Sequence, residues 1–293
     1  MALAAPAVAF TVLAPAGTAH AATGPAGITA KSAILLDSGT NKPLWGKAPD
    51  TRRQMASTTK VMTALVVLET KGLNLNKQIT VKQSYRNYVA RNGASTADLR
   101  TGDKLTVRQL LYGLMLPSGC DAAYALADAF GTGKSEAART GNFISKMNAK
   151  ASQLKLKNTR YDSFDGISKA GKNWTNTRDA AALARRAIGN STLAGVVKAT
   201  STKQKATNGR VYTWYNTNQL LGSYKGAIGI KTGTGTAAGP CLVFAAKRGS
   251  RTVVGVILND KNRYTDAKKM LDWAFKTKTA MSLRTLPAGA ERD

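Results

Sequence analysis

The sequence predicts a mixed α/β (α+β) protein: one antiparallel sheet built from both chain ends and covered by helices, with an inserted all-helical lobe over roughly 75–195. Three observations predict it. Apolar runs separated by glycine-containing turns gather near the two ends, apolar residues at helical spacing fill the middle, and no internal repeat or low-complexity linker divides the chain. At 293 residues and 43% hydrophobic, the chain can bury a substantial core in one large domain or two lobes. A cleft between two such lobes is the default place for a site.

Residues 1–22 are small, apolar and uncharged and finish in Ala19-His20-Ala21, the A-x-A pattern cut from exported proteins. They are expected to be a signal peptide, although the basic start of such a segment is missing. Residues 23–276 then form the folded domain, and 277–293 a polar tail. Ser32–Leu36 and Lys42–Trp45 flank Asp37-Ser38-Gly39-Thr40-Asn41, which predicts a hairpin. From Ser57 to Glu69 the apolar residues Val61, Met62, Leu65, Val66 and Leu68 recur at helical spacing, with Gly72 as a stop. Thr106-Val107-Arg108-Gln109 is a capping box opening a second helix, which must break at Pro117-Ser118-Gly119. Ala122–Phe130 reads as a third, buried helix, and Thr177 as the N-cap of another containing Asp179, Leu183 and Ile188. Gly226–Thr232, Cys241–Ala246 and Thr252–Leu258 predict a three-stranded meander, closed by a helix from Ala267 to Phe275. Beyond the signal segment, no run of about 18 apolar residues predicts a transmembrane span.

Forty-three Lys and Arg against 16 Asp and Glu give a net charge of +27. The first charged residue is Lys31, so loss of the signal segment leaves that surplus intact. No groove-reading motif or aromatic stacking pattern accompanies the charge, so nucleic acid is not the expected partner. An anionic wall polymer or membrane surface fits an exported cation better; plain solvation of dispersed charge is the simpler alternative. Cys120 and Cys241 are too few for a disulfide scaffold, and a single bridge between them stays open. The one histidine, His20, lies in the signal segment. No Cys/His zinc set can form, and neither metal nor organic cofactor is expected.

The missing imidazole constrains the chemistry. A serine nucleophile needs a neighbouring base, and without histidine an amine must serve. Lys60 follows Ser57 by one helical turn, which puts both side chains on one face, at a helix start whose free N–H groups favour a developing oxyanion. Alone the pattern is weak. Ser152-Gln153-Leu154-Lys155 satisfies it too, in a polar stretch that reads as a solvated helix face, and a serine at a helix start is commonly only a cap. Two further elements add to it: Ser118-Gly119-Cys120 at the helix break, and Lys231-Thr232-Gly233-Thr234 ending an apolar strand. Taken singly, Lys231 reads as an exposed strand-end lysine.

In order and spacing, Ser57-x-x-Lys60, Ser118-Gly119-Cys120 and Lys231-Thr232-Gly233 resemble the motifs of the penicillin-recognising serine enzymes. The stretch Leu110–Ala123 is especially similar to low-molecular-weight penicillin-binding proteins, the serine D-alanyl-D-alanine carboxypeptidases and transpeptidases. The resemblance spans the whole mature chain and implies a DD-peptidase/β-lactamase-like fold. It implies a peptidoglycan pentapeptide ending in D-Ala-D-Ala as substrate, β-lactams as inhibitors, and a location outside the cytoplasmic membrane. By the same resemblance Ser57 forms the acyl-enzyme, Lys60 accepts its proton and Ser118 relays it to the leaving nitrogen. Backbone N–H groups of Ser57 and Thr234 form the oxyanion hole, and Lys231, Thr232 and Thr234 hold the terminal carboxylate.

The chain departs from the family pattern at Cys120, where asparagine is usual. A thiol is a weak hydrogen-bond partner, which puts the substrate amide contact and the lysine contact in doubt and predicts slower acylation. Cys241, mid-strand and flanked by apolar residues, reads as a buried small hydrophobe. A β-lactamase would share the motifs, yet Leu156–Leu221 holds no glutamate and only Asp162, Asp165 and Asp179 as acids. The rival from another class is a non-catalytic basic protein that binds the cell wall.

Overall fold

The computed structural model describes Met1 and residues 24–291. The expected signal segment with its Ala19-His20-Ala21 site therefore lies, Met1 apart, outside the described residues. The chain opens with the predicted hairpin, β1 (Ser32–Asp37) and β2 (Pro43–Lys47). It continues through β3 (Arg53–Gln54), a 3-10 turn at Ala56–Thr59 and α1 (Lys60–Leu68). The helical middle contains β4 (Gln78–Thr80), α2 (Gln83–Asn92), β5 (Lys104–Thr106), α3 (Val107–Met115), α4 (Cys120–Phe130) and α5 (Glu136–Gln153). Then come β6 (Trp174–Thr175), α6 (Thr177–Gly189), α7 (Ser191–Lys198) and the hairpin β7 (Ser201–Lys205) and β8 (Val211–Tyr215). The chain closes with β9 (Ala227–Gly233), β10 (Cys241–Arg248), β11 (Arg251–Leu258) and α8 (Arg263–Phe275).

The main sheet runs β2-β1-β11-β10-β9, antiparallel throughout, so the N-terminal hairpin pairs with the C-terminal meander through β1 and β11. Side chains alternate across it. Ala33, Leu35, Leu242, Phe244, Val253 and Ile257 pack under Ala267, Met270 and Leu271 of α8. Ile34, Leu36, Val243, Ala245, Val254 and Val256 face the opposite way, into the core shared with α1, α3, α4 and α6. Burial on both faces is why these strands read as continuous apolar runs rather than as alternation.

The capping box is present in full: Thr106 Oγ1 accepts from Gln109 N, and Gln109 Oε1 accepts from Thr106 N. Several boundaries differ from expectation: the helix read from Ser57 begins as a 3-10 turn and becomes α1 only at Lys60. Asn176, not Thr177, caps α6, because its side-chain oxygen accepts Asp179 N at 2.8 Å while the Thr177 hydroxyl donates to Pro49 O. Helix α4 starts at Cys120, and α8 starts at Arg263. Cys120 and Cys241 are both free and buried, so the bridge left open by the sequence does not form.

The polar tail packs against the domain. Asp272 Oδ2 accepts Thr279 N, Arg284 N donates to Ser223 Oγ, Leu286 is buried, and Glu291 Oε1 accepts Thr96 N at 3.0 Å. No helix among the described residues is long and apolar enough to cross a membrane.

Candidate active site

Between Met55 and Val67 every residue is buried except Ser57. The 3-10 turn presents that one side chain to a cleft of about 770 Å³, lined also by Ser95, Cys120, Gly166, Lys169, Thr234 and Glu291. Ala56, just before it, holds a left-handed backbone (φ 46°), a conformation that costs a non-glycine residue about 1 kcal/mol and here turns the serine outward. Hydroxyls lock the turn from beneath: Thr58 donates to Met55 O at 2.7 Å and Thr59 to Ala56 O at 2.8 Å.

Lys60 begins α1 and is fully buried. Its Nζ lies 2.9 Å from Ser57 Oγ, 2.9 Å from Asp165 O and 3.3 Å from Cys120 Sγ. A neutral amine has two hydrogens and one lone pair. The carbonyl and the sulfur can take the two hydrogens, leaving the lone pair for the Ser57 proton, which is the geometry a general base requires.

Ser118 sits in the break between α3 and α4 with φ 64°, held there by Ser95 Oγ donating to its carbonyl at 2.7 Å. Its own hydroxyl is buried and has no hydrogen-bond partner among the described residues. A buried hydroxyl without a partner is unusual outside functional sites. Cys120 opens α4 with its thiol against Lys60, so the lysine contact doubted from the sequence exists, made by sulfur. Burial pushes that thiol up to about 12, with Lys60 pulling in the opposite direction. It is therefore protonated near neutral pH and is not a competing nucleophile.

Strand β9 closes the site from the other lobe. Gly233 comes so near the nucleophile turn that a Cβ there would lie 2.9 Å from Ser57 N and 3.0 Å from Thr58 N. From the opposite direction Gly166 (φ +102) approaches so closely that a Cβ would meet Ala56 O at 2.1 Å. Only glycine fits either place, and together they clamp the serine turn. Lys231 is buried with Nζ donating to Thr232 O at 3.0 Å. Thr232 is buried too, its hydroxyl paired with Thr217 Oγ1, so it braces the strand rather than facing the cleft. Thr234 does line the cleft, and its hydroxyl is 3.0 Å from Nη1 of Arg263.

The structure thus joins Ser57, Lys60 and Cys120 directly, and sets Gly233 and Thr234 at the same cleft. Three participants escaped the sequence reading. Arg263 is a cation on α8, which was expected to start later. Asp165 acts on Lys60 through its main-chain carbonyl, which any residue type could supply. Gly166 is needed for a close approach between segments far apart in sequence. The second S-x-x-K match stays outside: Ser152 and Lys155 are both exposed.

A helical insertion, an antiparallel sheet and a serine hydroxyl 2.9 Å from a buried lysine amine define a serine acyl-transfer enzyme of the penicillin-recognising class. The model of the peptidase S11 family, the D-alanyl-D-alanine carboxypeptidases, matches residues 18–262. The chain is 50% identical over 256 residues to a D-alanyl-D-alanine carboxypeptidase of Streptomyces sp. strain K15, covering 85% of this chain and 88% of that protein. It is 33% identical over 253 residues to DacF of Bacillus subtilis, covering 84% of this chain and 62% of that longer protein. The crystal structure of the Streptomyces K15 DD-transpeptidase superposes with a TM-score of 0.84 at 50% identity, over 87% of this chain and 99% of that one. This chain belongs to the D-alanyl-D-alanine carboxypeptidase family. It is a serine-type D-Ala-D-Ala peptidase, its substrate is peptidoglycan ending in D-Ala-D-Ala, and β-lactams bind it.

Proposed function

We propose that Ser57 Oγ attacks the carbonyl of the penultimate D-Ala while Lys60 Nζ takes the hydroxyl proton, giving a tetrahedral intermediate. Its collapse breaks the peptide bond, leaves an ester on Ser57 and expels the last D-Ala, whose nitrogen receives the proton through Ser118. The observation that carries this is the 2.9 Å contact between Lys60 Nζ and Ser57 Oγ, with the other acceptors of the amine already fixed. The N–H groups of Ser57 and Thr234 stabilise the oxyanion, each worth about 2.7 to 4 kcal/mol in comparable sites. Thr234 and Arg263, with Lys231 beneath, grip the terminal carboxylate, and Gly233 lets the strand reach the serine.

Hydrolysis of the ester is slow in this reading. Asp165 is occupied by Tyr88 and Ile167 N, Asp162 by Ser168 and Lys172 N, and Asp179 by Asn158 N and Thr159. Asp162 Oδ1 has no hydrogen-bond partner among the described residues, but none of the three acids lines the Ser57 cleft, where a β-lactamase would place its water-activating carboxylate. Residues 23–276 form the catalytic domain, exported behind the signal segment. The +27 charge adds adhesion to anionic wall polymers, checked by salt-sensitive sedimentation with cell walls.

A labelled pentapeptide, incubated with and without an amine acceptor, tests the chemistry. The enzyme should release D-Ala and form a new amide with the amine, and Ser57→Ala should do neither. Release by Ser57→Ala at the parental rate would overturn the assignment.

A further inference from the structure

The aim of Lys60 depends on a carbonyl, and that carbonyl on a second, partly buried contact. The Tyr88 hydroxyl on α2 donates to Asp165 Oδ2 at 2.9 Å, while Asp165 Oδ1 accepts Ile167 N at 2.9 Å. These two bonds fix both carboxylate oxygens and hold the main chain of residue 165 in a tight turn. Gly166 N adds a bond to Ser163 Oγ at 3.0 Å, and Thr63 Oγ1 one to Phe164 O at 2.5 Å, tying the same loop to α1. The Tyr88 ring is wedged between Tyr124 and Phe164, with centroids 5.3 and 5.6 Å away, so its hydroxyl has little freedom to wander. Burial and the Asp165 carboxylate push the Tyr88 phenol well above its ordinary value, which keeps it a proton donor over the working pH range.

We propose that Tyr88 and Asp165 are positioning residues for the acylation step: Tyr88 holds the Asp165 carboxylate, and the Asp165 carbonyl so fixed aims the Lys60 amine at Ser57. Tyr88 touches no reacting atom, and Asp165 meets the chemistry only through its main-chain oxygen on Lys60 Nζ. The two helices of the insertion that flank the cleft thereby act on chemistry they do not perform, α4 through Cys120 and α2 through Tyr88. The proposal rests on Lys60 being the base, since a carbonyl that orients it matters only if its lone pair does.

The test separates the acylation rate constant from the dissociation constant of the preceding non-covalent complex, using benzylpenicillin in excess. Tyr88→Phe should acylate about 10- to 100-fold more slowly, the usual cost of a misplaced catalytic group, with an unchanged dissociation constant. Asp165→Asn should fall between Tyr88→Phe and the parent, because its amide oxygen can still accept one of the two donors. Tyr85→Phe is the control. Tyr85 packs in the same aromatic cluster, 4.9 Å from Tyr124, but its hydroxyl serves Asp128, and it should keep the parental acylation rate. Parental acylation by both Tyr88→Phe and Asp165→Asn overturns the proposal, as does an equal loss in Tyr85→Phe. If Lys60→Ala itself acylates normally, the assignment of the base fails instead, so the two failures are distinct.

Discussion

The chain carries the pattern serine, two residues, lysine twice, and the two copies differ in what the backbone does between serine and lysine. From Ser57 to Lys60 a 3-10 turn runs straight into α1, so one helical turn stacks the buried lysine amine against a hydroxyl that faces the cleft. Ser152 instead sits in the last turn of α5. The helix stops at Leu154, and Lys155 has swung to a left-handed backbone (φ 58°) in solvent. The spacing therefore has chemical meaning only where the helix continues through it and neighbouring segments desolvate the pair.

The largest expected effect breaks the comparison at its base. Lys60→Ala should slow penicillin acylation by about 10²- to 10⁴-fold, the range for losing a general base, whereas Lys155→Ala should leave the rate unchanged. Rapid-mixing measurements with a chromogenic cephalosporin would read both. Next come paired glycines. Gly233→Ala places a methyl against Ser57 N and should cost about 1 to 3 kcal/mol of stability together with most of the activity. Gly141→Ala, on the same helix as Ser152 and with open space around it, should raise stability by about 0.5 to 1 kcal/mol in thermal unfolding and leave acylation untouched.

Smaller effects sharpen the contrast between a buried site and an exposed surface. The folded protein at pH 8 should resist iodoacetamide at Cys120, since burial holds the thiol at about 12, and should react on denaturation. Asp272 lies outside the site, where Lys268 and the Thr279 main chain and hydroxyl, with Tyr224, outweigh burial and hold its carboxyl down to about 2. That contribution is present above the ordinary value of 3.8 and is lost as the pH falls toward about 2, so Asp272→Asn should flatten the acid limb of stability over that window without altering acylation.

Much of this arrangement is legible in sequence because it is local. The capping box at Thr106, the break at Pro117 and the apolar strands near both ends each follow from residue type and spacing. Helices α2 and α5 escape because they are polar surface helices: only Tyr85 is buried in the first, and Thr140, Phe143, Met147 and Ala151 in the second. In the site, Ser57, Lys60, Ser118 and Lys231 announce themselves through reactive side chains in ordered motifs. Asp165 works through its backbone, Gly166 by lacking a side chain, and Arg263 from a helix remote in sequence, so residue type gives no sign of them. Thr232 belongs to the same motif, and its hydroxyl pairs with Thr217 Oγ1.

The central claim is that one serine, made nucleophilic by the amine a turn away, carries the acyl group. Intact mass after benzylpenicillin, followed by peptide mapping, tests it most directly. A single long-lived adduct is expected on the peptide containing Ser57 and none on Ser57→Ala; an adduct that persists in Ser57→Ala, or that maps to Cys120 or Ser152, would rule out Ser57 as the acyl carrier.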